Sequence, residues 1–181
     1  MKSMRAVGVF CGSSAGADPV YTTVAHELGV LLAQQSITLI YGGAQIGLMG
    51  TIADAALAHG GRVIGVIPHV LMDKEVGHPG LTELRVVETM ARRKEVMMEL
   101  SDAFIAMPGG IGTLDELFEV WTVTQLGMQA KPCGLLNVQG YFDQLLAFLD
   151  HAVAQGFLRE SHRRELRLHT DVAALLKALI A

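Results

Sequence analysis

Residues 106–120 read AMPGGIGTLDELFEV, which places Gly109, Gly110 and Gly112 immediately before Thr113, Asp115 and Glu116. Glycines let main-chain N–H groups converge with no Cβ atoms in the way. A helix starting next adds unpaired N–H groups and the positive end of its dipole. A strand, a glycine turn and a helix start together make an anion site of the kind that holds a phosphate. The same residues also make an ordinary tight turn, and both readings stand on the segment alone. Glu116 is equally double. Thr113-Leu114-Asp115-Glu116 fits a capping box, in which the glutamate reaches back to the N–H of the cap residue. The carboxylate also falls where a reacting group at the mouth of a cleft would sit.

A second cluster, residues 91–100 (ARRKEVMMEL), is sorted by helical spacing. Arg92 shares a face with Glu95 and Glu99 and is expected in solvent with an ion-pair partner. Arg93 shares its face with Met97 and Leu100, and Lys94 with Met97 and Met98. A charge on the apolar side of a helix start points into a cleft or snorkels around its rim. Arg93 is therefore the candidate ligand for a phosphate, able to make two parallel hydrogen bonds of about 1.5–3 kcal/mol each; a solvated helix start is the plain alternative. Other chemistries find less support. The seven histidines are scattered without ligand spacing, so no metal site is expected. Cys11 and Cys133 sit in apolar, strand-like contexts and read as reduced packing residues. A pyridoxal-phosphate enzyme would need a Schiff-base lysine; Lys74, Lys94 and Lys131 are available, and nothing marks one of them.

The elements that must position these residues alternate. Apolar runs at AVGVFCG, ITLIYGG, RVIGVIP, LRVVET, DAFIAMP and CGLLNV read as strands, with helical patterns between them and a loop over residues 72–80. Strands without polar alternation are buried on both faces. The order predicts an α/β, Rossmann-like, doubly wound parallel sheet with helices on both faces, a three-layer sandwich formed by residues 1–181 as a single nucleotide-binding domain. In such sheets ligands bind beyond the carboxyl ends of the strands. Three glycine-rich segments fall there: CGSSAG, YGGAQIGLMG and PGGIGT. None matches a dinucleotide fingerprint or a Walker loop. Leu114, Leu117, Phe118 and Trp121 share one helical face and read as core or subunit interface.

The 181 residues suffice for one substantial core, and 51% of them are hydrophobic. A net charge of −4 argues against a nucleic-acid partner. Every long apolar run is interrupted before about 18 residues, so no membrane span is expected, and no secretory signal is visible. A cytoplasmic location is the expectation.

Taken together, PGGIGTLDE, the RRK segment before it and YGGAQIGLMG resemble the LONELY GUY (LOG) family of cytokinin riboside 5′-monophosphate phosphoribohydrolases. The hallmark P-G-G-x-G-T-x-x-E falls on residues 108–116 without a gap, and the R-K pair falls on Arg93 and Lys94. The resemblance runs from VFCGSS to KPCGLLNV and the following helix. It implies a Rossmann-like homodimer, without cofactor, that hydrolyses the N-glycosidic bond of an adenine-type nucleoside monophosphate to free base and ribose 5-phosphate. It also implies catalytic roles for Arg93 and Glu116. Substrate contacts carry over to Lys94, Gly109, Gly110, Ile111, Gly112, Thr113, Leu114 and Asp115, and by spacing to Glu75 and Thr122. The sequence departs from the family pattern at Ala91, where a histidine is usual, at Asp115, the first acid of the usual Glu pair, and at Ala44, in place of a glycine. A nucleotide-binding module without catalysis is the alternative.

Overall fold

A computed structural model describes residues 4–180, apart from the side chains of Asp73 and Glu75. Seven strands form one parallel sheet: β1 (Ala6–Phe10), β2 (Thr38–Tyr41), β3 (Val63–Pro68), β4 (Glu83–Val87), β5 (Ala103–Ala106), β6 (Cys133–Leu136) and β7 (Leu166–His169). Their order across the sheet is β4-β3-β2-β1-β5-β6-β7. Each of β1, β3, β5 and β6 is buried along its whole length, as continuous apolar runs require.

Helices cover both faces: α1 (Pro19–Gln34), α2 (Gly47–Ala58), α3 (His69–Glu75), α4 (Met90–Leu100), α5 (Ile111–Gln125), α6 (Asp143–Ala154), α7 (Glu160–Glu165) and α8 (Val172–Ile180). Helix α1 starts where Asp18 accepts from the N–H of Val20 at 2.9 Å and Pro19 presets the first turn. The period of two along β1 separates the cores. Val7 and Val9 pack with Leu28 and Leu32 of α1, Ile52 of α2 and Leu175 of α8. Ala6 and Phe10 pack with Met97 of α4, Leu117 and Trp121 of α5 and Leu149 of α6. The sheet is thus the middle of three layers, as expected. Leu114 and Phe118 pack at the border of this second core.

Two parts depart from the sequence reading. The loop expected over residues 72–80 begins inside a short helix, α3. Residues 160–169, to which no element was assigned, form α7 and the edge strand β7. That stretch, ESHRRELRLH, is rich in charge, and an edge strand need not be apolar on both faces. Strand order reverses at β1: β2 to β4 lie on one side and β5 to β7 on the other. The loops after β1 and β5 therefore diverge above neighbouring strands, the place where such sheets open a crevice.

Candidate active site

Arg93 is set by the start of α4. The hydroxyl of Thr89 caps the helix, accepting from the N–H of Arg92 at 3.1 Å. Arg92 then faces solvent and pairs with Glu95 at 3.0 Å and Glu99 at 3.1 Å, as its spacing predicts. One residue on, Arg93 turns inward and is only 5% exposed. Its Nε donates to the Val66 carbonyl at 3.0 Å and its Nη2 to the Gly42 carbonyl at 3.0 Å, so the ends of β3 and β2 hold the fork. Its Nη1 lies 3.9 Å from the sulfur of Met90. The approach needs glycine at position 42: a Cβ there would stand 2.0 Å from Nη2.

The start of α5 resolves the ambiguity over Glu116. The helix begins at Ile111 behind an N-cap Gly110 that offers no side-chain cap, and the first helical bond runs from Leu114 N–H to Gly110 O at 3.2 Å. Thr113 is therefore the third helical residue and Glu116 the sixth. A capping box needs the glutamate three places after the cap, so that reading is corrected. Gly109 permits this earlier start, since a Cβ on it would lie 2.1 Å from the Thr113 hydroxyl oxygen. Glu116 is 8% exposed and turned away from solvent.

Both side chains border one cavity of about 240 Å³ above β1. Gly110, Ile111, Gly112 and Thr113 line it from the start of α5, Gly12 and Ser13 from the loop after β1, and Gly42 and Met49 from the segment after β2. The three glycine-rich segments thus converge. Cys11, at the floor, reports on the charges around it. Burial pushes its thiol well up, the negative charge of Glu116 pushes further, and Arg93 opposes. A neutral, buried thiol is no nucleophile, which agrees with the packing role expected for it. A second cavity of about 290 Å³ adjoins the first across Gly12, Ser13 and Gly110; Gly109, Tyr21 and Tyr141 line it.

The remaining expected contacts sit elsewhere in this chain. Lys94 Nζ lies 3.0 Å from Asp115 and 2.5 Å from Glu119, tying α4 to α5 next to Arg93 and Glu116. The hydrogen bond to Glu119, then that to Asp115, hold its ammonium group above its ordinary pKa, while partial burial opposes. Lys94, Leu114, Asp115 and Thr122 do not line the cavity, and Thr122 is exposed. Glu75 ends α3, and its side chain falls outside the described part of the structure. Val9, Leu71 and Met90 complete the apolar wall. Nothing in their local sequence marked them, because the sheet order alone brings them together. Among the described residues no group of three or more acidic, histidine or cysteine side chains could hold a metal ion. None of Lys74, Lys94 and Lys131 lines the cavity.

A protein family described as "Possible lysine decarboxylase" matches residues 49–179. The chain is 51% identical over 175 residues to "Probable cytokinin riboside 5′-monophosphate phosphoribohydrolase LOGL9" of Oryza sativa subsp. japonica, covering 97% of this chain and 77% of the relative. It is 45% identical over 176 residues to the "Cytokinin riboside 5′-monophosphate phosphoribohydrolase" of Rhodococcoides fascians, covering 97% and 89%. The chain belongs to the LOG family. The resemblance seen in PGGIGTLDE and the Arg93-Lys94 pair therefore extends over nearly the whole length. Among solved structures, the molybdenum cofactor carrier protein of Chlamydomonas reinhardtii superposes with a TM-score of 0.74 at 23% identity, covering 97% of this chain and 96% of that one. That likeness concerns the fold. No helix among the described residues of this LOG-family chain is long and apolar enough to cross a membrane.

Proposed function

We infer that this LOG-family chain hydrolyses the N-glycosidic bond of adenine-type nucleoside 5′-monophosphates, releasing free base and ribose 5-phosphate. The observation that carries the residue assignment is the convergence of a buried arginine, a buried glutamate and an uncapped helix start on one cavity. The phosphate would dock on the first turn of α5, where Gly110, Ile111, Gly112 and Thr113 present main-chain N–H groups and the helix dipole favours an anion. Ser13 borders the same end. This docking sets the ribose over Glu116 and Arg93, with the base toward Val9, Met49, Leu71 and Met90.

Cleavage of a glycosidic bond builds positive charge on the sugar ring. In this reading the carboxylate of Glu116 stabilises that charge and takes the proton of the water that adds to C1′. The base departs with the bonding electrons and takes up one proton. Arg93, clamped by two main-chain carbonyls, holds the phosphate or the sugar hydroxyls in register. A module that only stored nucleotide would need the glycine cradle but not this pair. The Schiff-base alternative suffers from the state of its lysines: Lys94 is held charged by two acids, whereas a lysine nucleophile needs its charge suppressed.

The chain would act as one domain, supported by the single sheet from residue 6 to residue 169, and as a homodimer. Val70, Ile111, Leu126 and Met128 are exposed apolar side chains on α3, on α5 and just beyond the end of α5. Thr122 lies about 9 Å along α5 from Glu116, so a contact from Thr122 to nucleotide would be made in the cavity of a second copy. Light scattering of the purified chain tests this. Two free, buried thiols support a reducing, cytoplasmic setting.

The central test follows free base by chromatography during incubation with AMP and with isopentenyladenosine 5′-monophosphate. Glu116→Ala should lower turnover by about 10²–10⁴-fold. Unchanged turnover in that variant would remove Glu116 from the mechanism. Tight binding of both nucleotides without base release by the native chain would leave the storage module.

A further inference from the structure

The side chains of Asp54 and His78 take no part in the cavity wall, yet they are joined to it through the main chain. His78 is a buried histidine, 4% exposed, and both of its ring nitrogens are engaged. Nδ1 accepts from the N–H of Gly80 at 3.0 Å. An acceptor nitrogen carries no proton, so in the neutral ring the proton sits on Nε2. Nε2 then donates to Asp54 Oδ1 at 2.9 Å, reaching across to α2. The tautomer is thus assigned by a main-chain donor that cannot reverse its role.

What this ring holds is the segment after α3. The N–H of His78 donates to Gly43 O at 2.9 Å, and the N–H of Gln45 donates to Val76 O at 2.9 Å. Ala44 and Gly77 pair between these bonds as an antiparallel bridge. The segment 76–78 and the segment 43–45 therefore form one two-stranded unit. The carbonyl of Gly42, next in line, is the acceptor for Arg93 Nη2. Val76 marks the tension in the unit. A β-branched residue at φ 51° lies in the left-handed region, which persists only where the surroundings over-determine it.

We propose that Asp54 and His78 form a positioning pair that fixes the Gly42 carbonyl, and through it the guanidinium of Arg93, in the geometry that turnover requires. The inference rests on the assignment of Arg93 to the reacting site. Neither residue lines the cavity, so their loss should reach the nucleotide only through the placement of Arg93. On its other side the segment is braced by the pairing of β2 with β3, Tyr41 beside Gly65, and by the Tyr41 hydroxyl, which donates to the Ala44 carbonyl at 3.0 Å.

The experiment measures kcat and KM for AMP hydrolysis, with thermal melting, in Arg93→Ala, Asp54→Ala, Asp54→Asn and His78→Ala. The Asp54 side chain is 67% exposed, so its variants should fold even where His78→Ala does not. Asp54→Ala is expected to lower kcat about tenfold with KM within twofold, a fraction of the roughly 10²-fold that a 1 Å misplacement costs. Asp54→Asn should recover the native kcat, because its amide oxygen still accepts from Nε2–H. Native kcat in Asp54→Ala beside an inactive Arg93→Ala would overturn the proposal and leave the site assignment standing. An Asp54→Asn as slow as Asp54→Ala would also overturn it, since charge and not the hydrogen bond would then be at work. Full turnover in Arg93→Ala would remove the site assignment itself.

Discussion

Replacing Gly42 by alanine tests whether the placement of Arg93, and not merely its charge, sets the rate. The new Cβ would stand 2.0 Å from Arg93 Nη2 and 2.8 Å from the sulfur of Met49. Real Cβ contacts do not fall below 3.0 Å, so the guanidinium must retreat by at least 3.0 − 2.0, or 1.0 Å. Gly42 is not among the residues at positive φ, so the alanine brings no backbone strain of its own. The retreat breaks or stretches a charge-assisted hydrogen bond worth about 1.5–3 kcal/mol. A displacement of about 1 Å at a reacting site costs roughly 10²-fold. The expected result is a kcat about 10²-fold below native for release of base from AMP, with a melting temperature lowered by the lost bond. Circular dichroism should show an unchanged fold. A Gly42→Ala enzyme with native kcat would refute the argument that Arg93 must sit where the Gly42 carbonyl holds it.

Gly112→Ala makes the converse perturbation. A Cβ there meets no atom within 4 Å, so the variant should melt at or slightly above the native temperature, helped by up to about 1 kcal/mol of helix propensity. Its KM for nucleotide should rise if the phosphate occupies that space, and an unchanged KM would place the phosphate elsewhere. Lys94→Gln should destabilise by about 1–3 kcal/mol in urea titrations, between the values of exposed and buried ion pairs, because it unties α4 from α5. Alkaline stability follows from the buried acids. Burial pushes the Cys133 thiol from 9.0 up to about 12, and Cys11 and Tyr41 are also pushed up, chiefly by burial. The unfolded chain gives up these protons first, the thiols from about pH 9 and Tyr41 from about pH 10, so their contribution is complete below pH 9 and declines as pH rises toward 12. A urea midpoint that stays level from pH 9 to 11 would contradict this.

How far the sequence foretold this architecture differs from residue to residue. Arg93 was legible because Met97 and Leu100 lie one and two turns along the same face, and that face is the core side of α4. The strands were legible because burial on both faces leaves uninterrupted apolar runs. The cap of α5 lies three residues before Thr113, at Gly110, and was illegible for a physical reason. A glycine N-cap has no side chain to announce it, while Thr113 and Glu116 carry the spacing of a capping box they do not form. Residues 160–169 were missed because an edge strand bears charge. The apolar wall at Val9, Leu71 and Met90 and the joining of His78 to Asp54 depend on the order of strands, which no local pattern contains.

Two anchors of Arg93 are carbonyl oxygens of the main chain, at positions 42 and 66. A peptide carbonyl survives any substitution of its own residue, so the Arg93 acceptor at position 66 cannot be deleted by a point change there. Val66→Ile or Val66→Leu would disturb packing at a fully buried position while leaving that acceptor in place. A different side chain at 66 therefore leaves the acceptor for Nε in place, whereas any side chain at 42 brings a Cβ to 2.0 Å from Nη2.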